Sequence, residues 1–325
     1  MIVPKYWSES KASASVNGRT VTLKRFGWSD VSEQEAEQHA TLRLEEAITT
    51  LNATGDVRKV DHKVAYNGGE GIPIREEVIS QHGDNVISRN AYGALCLNTP
   101  DVMFADVDIQ EHYPASFAFG TFLILMLIGA AASWYLSSWL IMAVVVLVSL
   151  GIGKAKAVMA NKDALNAQEK EEALAIERFQ EFSKANPECH LRVYKTAKGY
   201  RVLFMDRTYD PSSDETLQLL ESLHSDKVYI QMCRNQKCFR ARLTPKPWRI
   251  DMERLRPNPG IWPIDPTFLE SRASWVERYE KQSQPYATCH FIVELGSKRV
   301  DPDAERVRKL HDDFCKVYDS ESSLA

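Results

Sequence analysis

"DVMFADVDIQ", Asp101 to Gln110, decides the fold. It is an apolar run that ends in two acids, Asp106 and Asp108, and a few residues later the chain enters a long uncharged stretch. Residues two apart share one side of a strand, so the carboxylates project together while Val107 turns toward a core. Such a segment is expected to be the first strand of a sheet, with an insertion grown from its end.

The insertion, "FAFGTFLILMLIGAAASWYLSSWLIMAVVVLVSLGIG", runs from Phe117 to Gly153 without a charge. As one helix it would measure roughly 55 Å at 1.5 Å per residue, against about 30 Å of bilayer hydrocarbon. Two short spans are therefore predicted, near Ala115–Trp134 and Leu136–Gly153, with the break at "SWYLSS". Trp134, Tyr135 and Trp139 suit the headgroup level, and "GAAAS" (Gly129 to Ser133) offers small residues for close helix approach. Lys154, Lys156 and Lys162 follow the second span, and the loop between spans carries no charge. Both termini are accordingly expected on the cytoplasmic side of the membrane.

After the insertion, an Ala-, Glu- and Lys-rich stretch predicts a long helix that stops before Pro187. "CHLRVYKT" and "YRVLFM", joined by "AKG", read as a strand hairpin. "DPSSDETLQLLESLHS" reads as a helix capped by Ser212 or Ser213, and "CFRARLTP" as a fourth strand. With "DVMFADVDI" first, the order is that of the split βαβ, ferredoxin-like fold. The expected class is α+β: a ferredoxin-like cytoplasmic core with an inserted two-helix transmembrane hairpin and an N-terminal α+β extension. The regions are 1–100 (extension), 101–113 (first core strand), 114–153 (transmembrane hairpin), 154–250 (rest of the core) and 251–325 (Pro-rich connection, strand, closing helix and a frayed polar tail). Within the extension, "RTVTLKRFG" is a strand. A helix from Ser29 or Asp30 to Gly55 carries the stripe Ala40, Leu44, Ala47, Ile48 and Leu51, and "NVISRN" and "GALCLNT" are further strands.

Composition excludes several classes. The chain has 325 residues with 40 basic and 44 acidic side chains, a net charge of -4, so no global basic field points to nucleic acid. The start lacks the apolar core of a signal peptide. Six scattered cysteines read as reduced thiols. "CRNQKC" has no second pair of similar spacing, which disfavours zinc there. His62, His82, His112, His190, His224, His290 and His311 form no HxxxH pattern and receive no role, and "NGGEG" is a loop.

Paired carboxylates on one strand face repel unless a divalent cation lies between them, and magnesium or manganese is the expected cofactor for Asp106 and Asp108. The other reading is two solvated acids at a strand end. Arg240 and Arg242 share a strand face, with Lys246 close behind. They bind a phosphate-bearing ligand such as a nucleotide, pair internally with acids, or remain exposed edge-strand charge. Lys198 and Arg201 flank the glycine of the "AKG" turn and are candidate phosphate ligands, although an ordinary hairpin turn needs no ligand. Two functions follow: a membrane-anchored domain binding a divalent metal and a phosphate ligand, or a non-enzymatic membrane-tethered interaction or scaffold module with a protein partner.

"MFADVD", "VYKTAKGYRVLF" and "FRARLTPK", in this order, resemble an uncharacterised group of bacterial two-span membrane proteins. At one remove, the arrangement is similar to the palm-like core of archaeo-eukaryotic primase-polymerases, over roughly Asp101 to Trp248. That resemblance implies a metal on the paired acids and nucleotide as ligand. Arg201 stands where the superfamily has a nucleotide-contacting histidine, and Glu294 is the candidate for its third acid.

Overall fold

The structure is a computed structural model that describes residues 2–16, 18–61, 72–110, 119–257 and 262–325, with side chains omitted at 119–125, 141–142 and 150. The chain is α+β and divides into two units, Met1–Val107 with Phe182–Ala325, and Asp108–Glu181. The second is thus inserted in the first, directly after "FADV".

In the first unit, β1 (Tyr6–Val16) and β2 (Arg19–Ser29) form an antiparallel ribbon. It carries α1 (Glu33–Thr54) on one face. Gly27 makes that packing close: a Cβ there would lie 2.1 Å from the Ala36 carbonyl oxygen and 2.2 Å from the Ala40 nitrogen. The expected apolar stripe is the packing face, with Ala40, Leu44, Ala47 and Leu51 buried and Ile48 partly so. The cap is Ser32 rather than Ser29 or Asp30. Its hydroxyl accepts from the Glu35 amide at 3.1 Å, while the Ser29 hydroxyl is engaged with the Glu35 carboxylate. Gly55 closes the helix in the left-handed region, as expected.

Two four-stranded sheets follow. In the first, β3 (Glu77–His82), β4 (Asn85–Arg89) and β5 (Leu95–Thr99) pair in sequence, and β9 (Phe239–Arg242) pairs with β5. The second has the order β11-β7-β8-β6, from β6 (Phe104–Asp108), β7 (His190–Thr196), β8 (Gly199–Phe204) and β11 (Cys289–Gly296). The strand expected as fourth in a ferredoxin-like sheet, β9, therefore lies in the other sheet. The edge beside β7 is occupied instead by β11, antiparallel to it, whereas a ferredoxin-like sheet carries its fourth strand beside the first. The register Cys96↔Arg242 to Thr99↔Phe239 gives β9 a full antiparallel partner in β5, which strand periodicity cannot reveal.

Between the strands, α4 (Asp214–Ser222) is capped by Ser213, one of the two expected residues, and α5 (Lys227–Gln236) follows. The connection after β9 contains α6 (Leu269–Ser283), which the reading of that region as Pro-rich linker did not include. The closing helix α7 (Pro302–Cys315) is capped by Asp301 with Pro302 in its first turn. The tail is not frayed: β12 (Ser323–Leu324) pairs in parallel with β10 (Tyr286–Ala287), and Ala325 is buried.

The second unit contains α2 (Phe119–Tyr135) and α3 (Trp139–Ala185), joined by a turn in which Ser133 donates to the Ser138 carbonyl. A Cβ on Gly129 would lie 2.7 Å from Val145, so the small-residue segment is where the two helices meet. α3 ends at Ala185, just before Pro187, as expected. Among the described residues one helix is long and apolar enough to cross a membrane, Ala143–Ala185, whose most apolar 18-residue stretch has a mean hydropathy of 1.8, and Met126–Tyr135 is a shorter apolar helix. The expected span start at residues 115–118, the end of the expected first strand at 111–113, "NGGEG", His62 and His112 lie outside the described residues.

Candidate functional site

The face of the second sheet that lies under α7 collects the polar chemistry. Cross-strand register places Tyr194 opposite Arg201 and Phe291 opposite Tyr194. Phe104 joins this face from β6, its ring 5.2 Å from His311. By period two Asp106 lies on the same side as Phe104. Asp106 is half-buried and Asp108 exposed. The Asp106 backbone is clamped: its amide donates to the Ser225 hydroxyl at 3.1 Å, and its carbonyl accepts from that hydroxyl and from the Asp226 amide, both at 2.9 Å. Ser225 also borders a cleft of ≈ 690 Å³ lined by Glu221, His224, Lys227, Ile230 and Gln231, not by the paired acids.

Arg201 is 4% exposed. Its Nη1 donates to the Arg242 carbonyl at 2.9 Å and to His311 Nε2 at 3.0 Å, and it lies 3.8 Å from Cys315 Sγ. Burial alone would lower its pKa. The negative charge that Cys289, Cys315 and Asp106 can carry outweighs burial and holds the guanidinium above its ordinary value. Of the expected site residues, Arg201 and Asp106 are thus brought onto one sheet face.

The other cations are placed elsewhere. Arg240, on β9, donates from Nη2 to both oxygens of Glu76, at 2.8 and 2.6 Å, and from Nη1 to Asn98 Oδ1 at 3.0 Å. Both members of that ion pair are buried. Arg242 donates to the carbonyls of Thr244 and Ala325. Lys246 stands 5.7 Å over the ring of Trp248, and Lys198 is exposed at the β7–β8 turn. Glu294 pairs with Arg192 and Lys298 on β11. In the order β11-β7-β8-β6, three strand spacings, about 14 Å, separate it from the Asp106 strand, too far to share an ion.

A second constellation was not assigned from the sequence. Cys289 opens β11, and His311 and Cys315, four residues apart, share one face of α7. The ligating atoms of the three lie within 4.8 Å of one another, and all three are fully buried. α7 presents them because Ala304, Val307, His311 and Cys315 form its buried stripe. Around them, His311 Nδ1 lies 2.9 Å from Asp312 Oδ1. That carboxylate also accepts from the Tyr194 hydroxyl at 2.9 Å and pairs with Arg308. Burial pushes the Cys289 thiol up. At Cys315 burial acts the same way, but the Cys289 hydrogen bond, His311 and Arg201 outweigh it and hold this thiol below its ordinary range. The signal available in the sequence was H-x3-C on an amphipathic helix, which a search for HxxxH passes over. Cys233 and Cys238 of "CRNQKC" are both buried. No protein-family model, curated protein sequence or solved structure matches the chain.

Proposed function

We propose that the chain is a membrane-anchored, non-catalytic binding module, with its α+β unit on the cytoplasmic side of a bacterial inner membrane. One observation carries the choice over a phosphoryl-transfer site: the Arg240 guanidinium is closed on Glu76 and Asn98. A phosphate would have to displace a buried carboxylate held by charge-assisted hydrogen bonds, leaving that carboxylate without its partner. Arg201, another of the cations expected to meet a phosphate-bearing ligand, is enclosed beneath α7.

Anchoring rests on the apolar surface of the inserted unit. Trp134 and Tyr135 are 89% and 86% exposed, and Leu127, Ile128, Leu140, Val144 and Leu147 also face outward. So much exposed apolar surface fits lipid. Lys154, Lys156 and Lys162 then set the cytoplasmic end. In this reading α2 and α3 form a two-span hairpin. The run β6, α3, β7, β8, α4 keeps the first part of the split βαβ order, with β8 between β6 and β7, while β11 lies at the β7 edge rather than beside β6.

Thermal melts of the detergent-purified chain test the choice. A non-catalytic module shows the same midpoint with and without magnesium, manganese or ATP. Stabilisation by magnesium or manganese, about 2.7 kcal/mol at a hundredfold excess over Kd, that disappears in Asp106→Asn/Asp108→Asn would establish the acids as a metal site instead.

A further inference from the structure

We infer that Cys289, His311 and Cys315 form a three-coordinate site for a thiophilic d10 metal ion, with Cu+ preferred over Zn2+. This goes beyond the binding-module reading and does not depend on it.

Ligand chemistry comes first. Two cysteine sulfurs and an imidazole nitrogen are the donor set that soft ions select, and here they converge within 4.8 Å with all three side chains buried. Cys289 Sγ lies 3.8 Å from His311 Nε2. With metal–sulfur and metal–nitrogen bonds of about 2.3 and 2.0–2.1 Å, that edge is about 3.8 Å for 120° between ligands and about 3.5 Å for a tetrahedral angle. The 3.8 Å separation matches that trigonal edge. No fourth His, Cys, Asp or Glu joins the cluster among the described residues.

The imidazole is oriented for the task. Its Nδ1 faces Asp312 Oδ1 at 2.9 Å, so Nδ1–H donates there and Nε2 is left as the acceptor, 3.8 Å from Cys289 Sγ. This is the carboxylate–histidine arrangement that commonly stands behind metal-bound imidazoles. Asp312 is itself fixed by Tyr194 and Arg308. Arg201 Nη1 lies 3.0 Å from Nε2 and 3.8 Å from Cys315 Sγ. An incoming ion therefore moves one N–H from the imidazole to a thiolate.

Charge selects between the two ions. Two thiolates and Cu+ carry a net charge of -1, which the buried Arg201 guanidinium balances. Two thiolates and Zn2+ carry none, which leaves the half-buried Asp106, not the metal centre, to balance that guanidinium, and a fourth zinc position without a side-chain donor. Binding releases the thiol protons to solvent, and neither metal nor sulfur changes oxidation state. Because the ligands lie beneath α7, an ion once loaded should exchange slowly.

The test uses the full chain in detergent, reduced and anaerobic, loaded with Cu+ or with Zn2+, desalted, and assayed for metal per chain. One retained Cu+, a thiolate-to-copper absorption band, and loss of both in Cys315→Ser and His311→Gln but not in Cys238→Ser are the expected results. Folding defects in the variants are bypassed by footprinting the wild type. Cu+ should protect Cys289 and Cys315 from alkylation in mild denaturant at least tenfold more than Cys96 or Cys233. No retention of either ion by verified thiols, or equal protection of all cysteines, would overturn the site in favour of a metal-free thiol pair. A Cys289–Cys315 disulfide in the chain as purified from cells would overturn it too. Retention of Zn2+ but not Cu+ would overturn the choice of ion.

Discussion

Arg240 and Glu76 form an ion pair with both partners out of water, and the cost of breaking it is asymmetric. Arg240→Met leaves a buried carboxylate without its partner and should lower stability by about 3–5 kcal/mol, whereas Arg240→Met with Glu76→Leu should recover most of it. Denaturant melts of the two variants check this; a single variant within about 1 kcal/mol of wild type would mean the pair is not closed. Asp312 gives a pH signature. Burial alone would raise its pKa, but hydrogen bonds from His311 and Tyr194 and the Arg192 charge hold it below 3.8. A depressed folded value contributes stability that is complete above pH 3.8 and is lost as pH falls through that lowered value. The stability gap between wild type and Asp312→Asn should therefore be full above about pH 5 and shrink in acid. A gap that widened in acid would reverse the sign. At this scale the sequence disclosed which side chains share a face, such as Arg240 with Arg242 or Asp106 with Asp108. It did not disclose partners: Glu76 is 164 positions from Arg240, and no local pattern links them.

Single helices and strands were legible where their own residues carry the signal. The α1 stripe, the β7–β8 hairpin, the stop before Pro187 and the α7 helix all follow from periodicity and caps. β1 was not read because "YWSESKASASV" alternates serine with alanine and lysine and shows little apolar contrast. α6 was not read because its buried residues are Arg272, Trp275 and Tyr279, too sparse a stripe to stand out after a run of prolines. Two substitutions probe α1. Ser32→Ala removes the hydroxyl that receives the Glu35 amide and should cost about 1 kcal/mol. Gly27→Ala drives a methyl into the helix backbone at Ala36 and Ala40. Because backbone cannot rotate away as a side chain can, the cost should reach the upper end of overpacking, about 3 kcal/mol. Equal, small effects of the two in thermal melts would mean that α1 does not pack on Gly27.

The connectivity of the whole molecule restricts how the inserted segment can meet a membrane. β5 and β6 precede that segment, and β8 and β9 follow it, yet β6 joins the sheet of β8 and β5 pairs with β9. Strands that exchange backbone hydrogen bonds must lie on the same side of a bilayer. If residues 108–181 enter a bilayer, as proposed, they therefore cross it an even number of times. A single span is excluded as long as the unit folds as one, although α3 alone contains the helix long enough to make one. In the proposed membrane-anchored reading, the exposed leucines and valines of α2 and α3 call for two crossings, with the turn at residues 136–138 on the far side. Sequence length alone suggested two spans. The parity comes only from strand pairing between segments far apart in the chain, which no local pattern encodes. Reporter fusions after residue 325 and before residue 1 should both give cytoplasmic signals, and a single cysteine at Ser137 should be labelled by an impermeant reagent from the periplasmic side. Opposite signals at the two ends would break the shared sheets. Labelling of Ser137→Cys only after the membrane is opened would mean that the segment lies on the cytoplasmic surface without crossing.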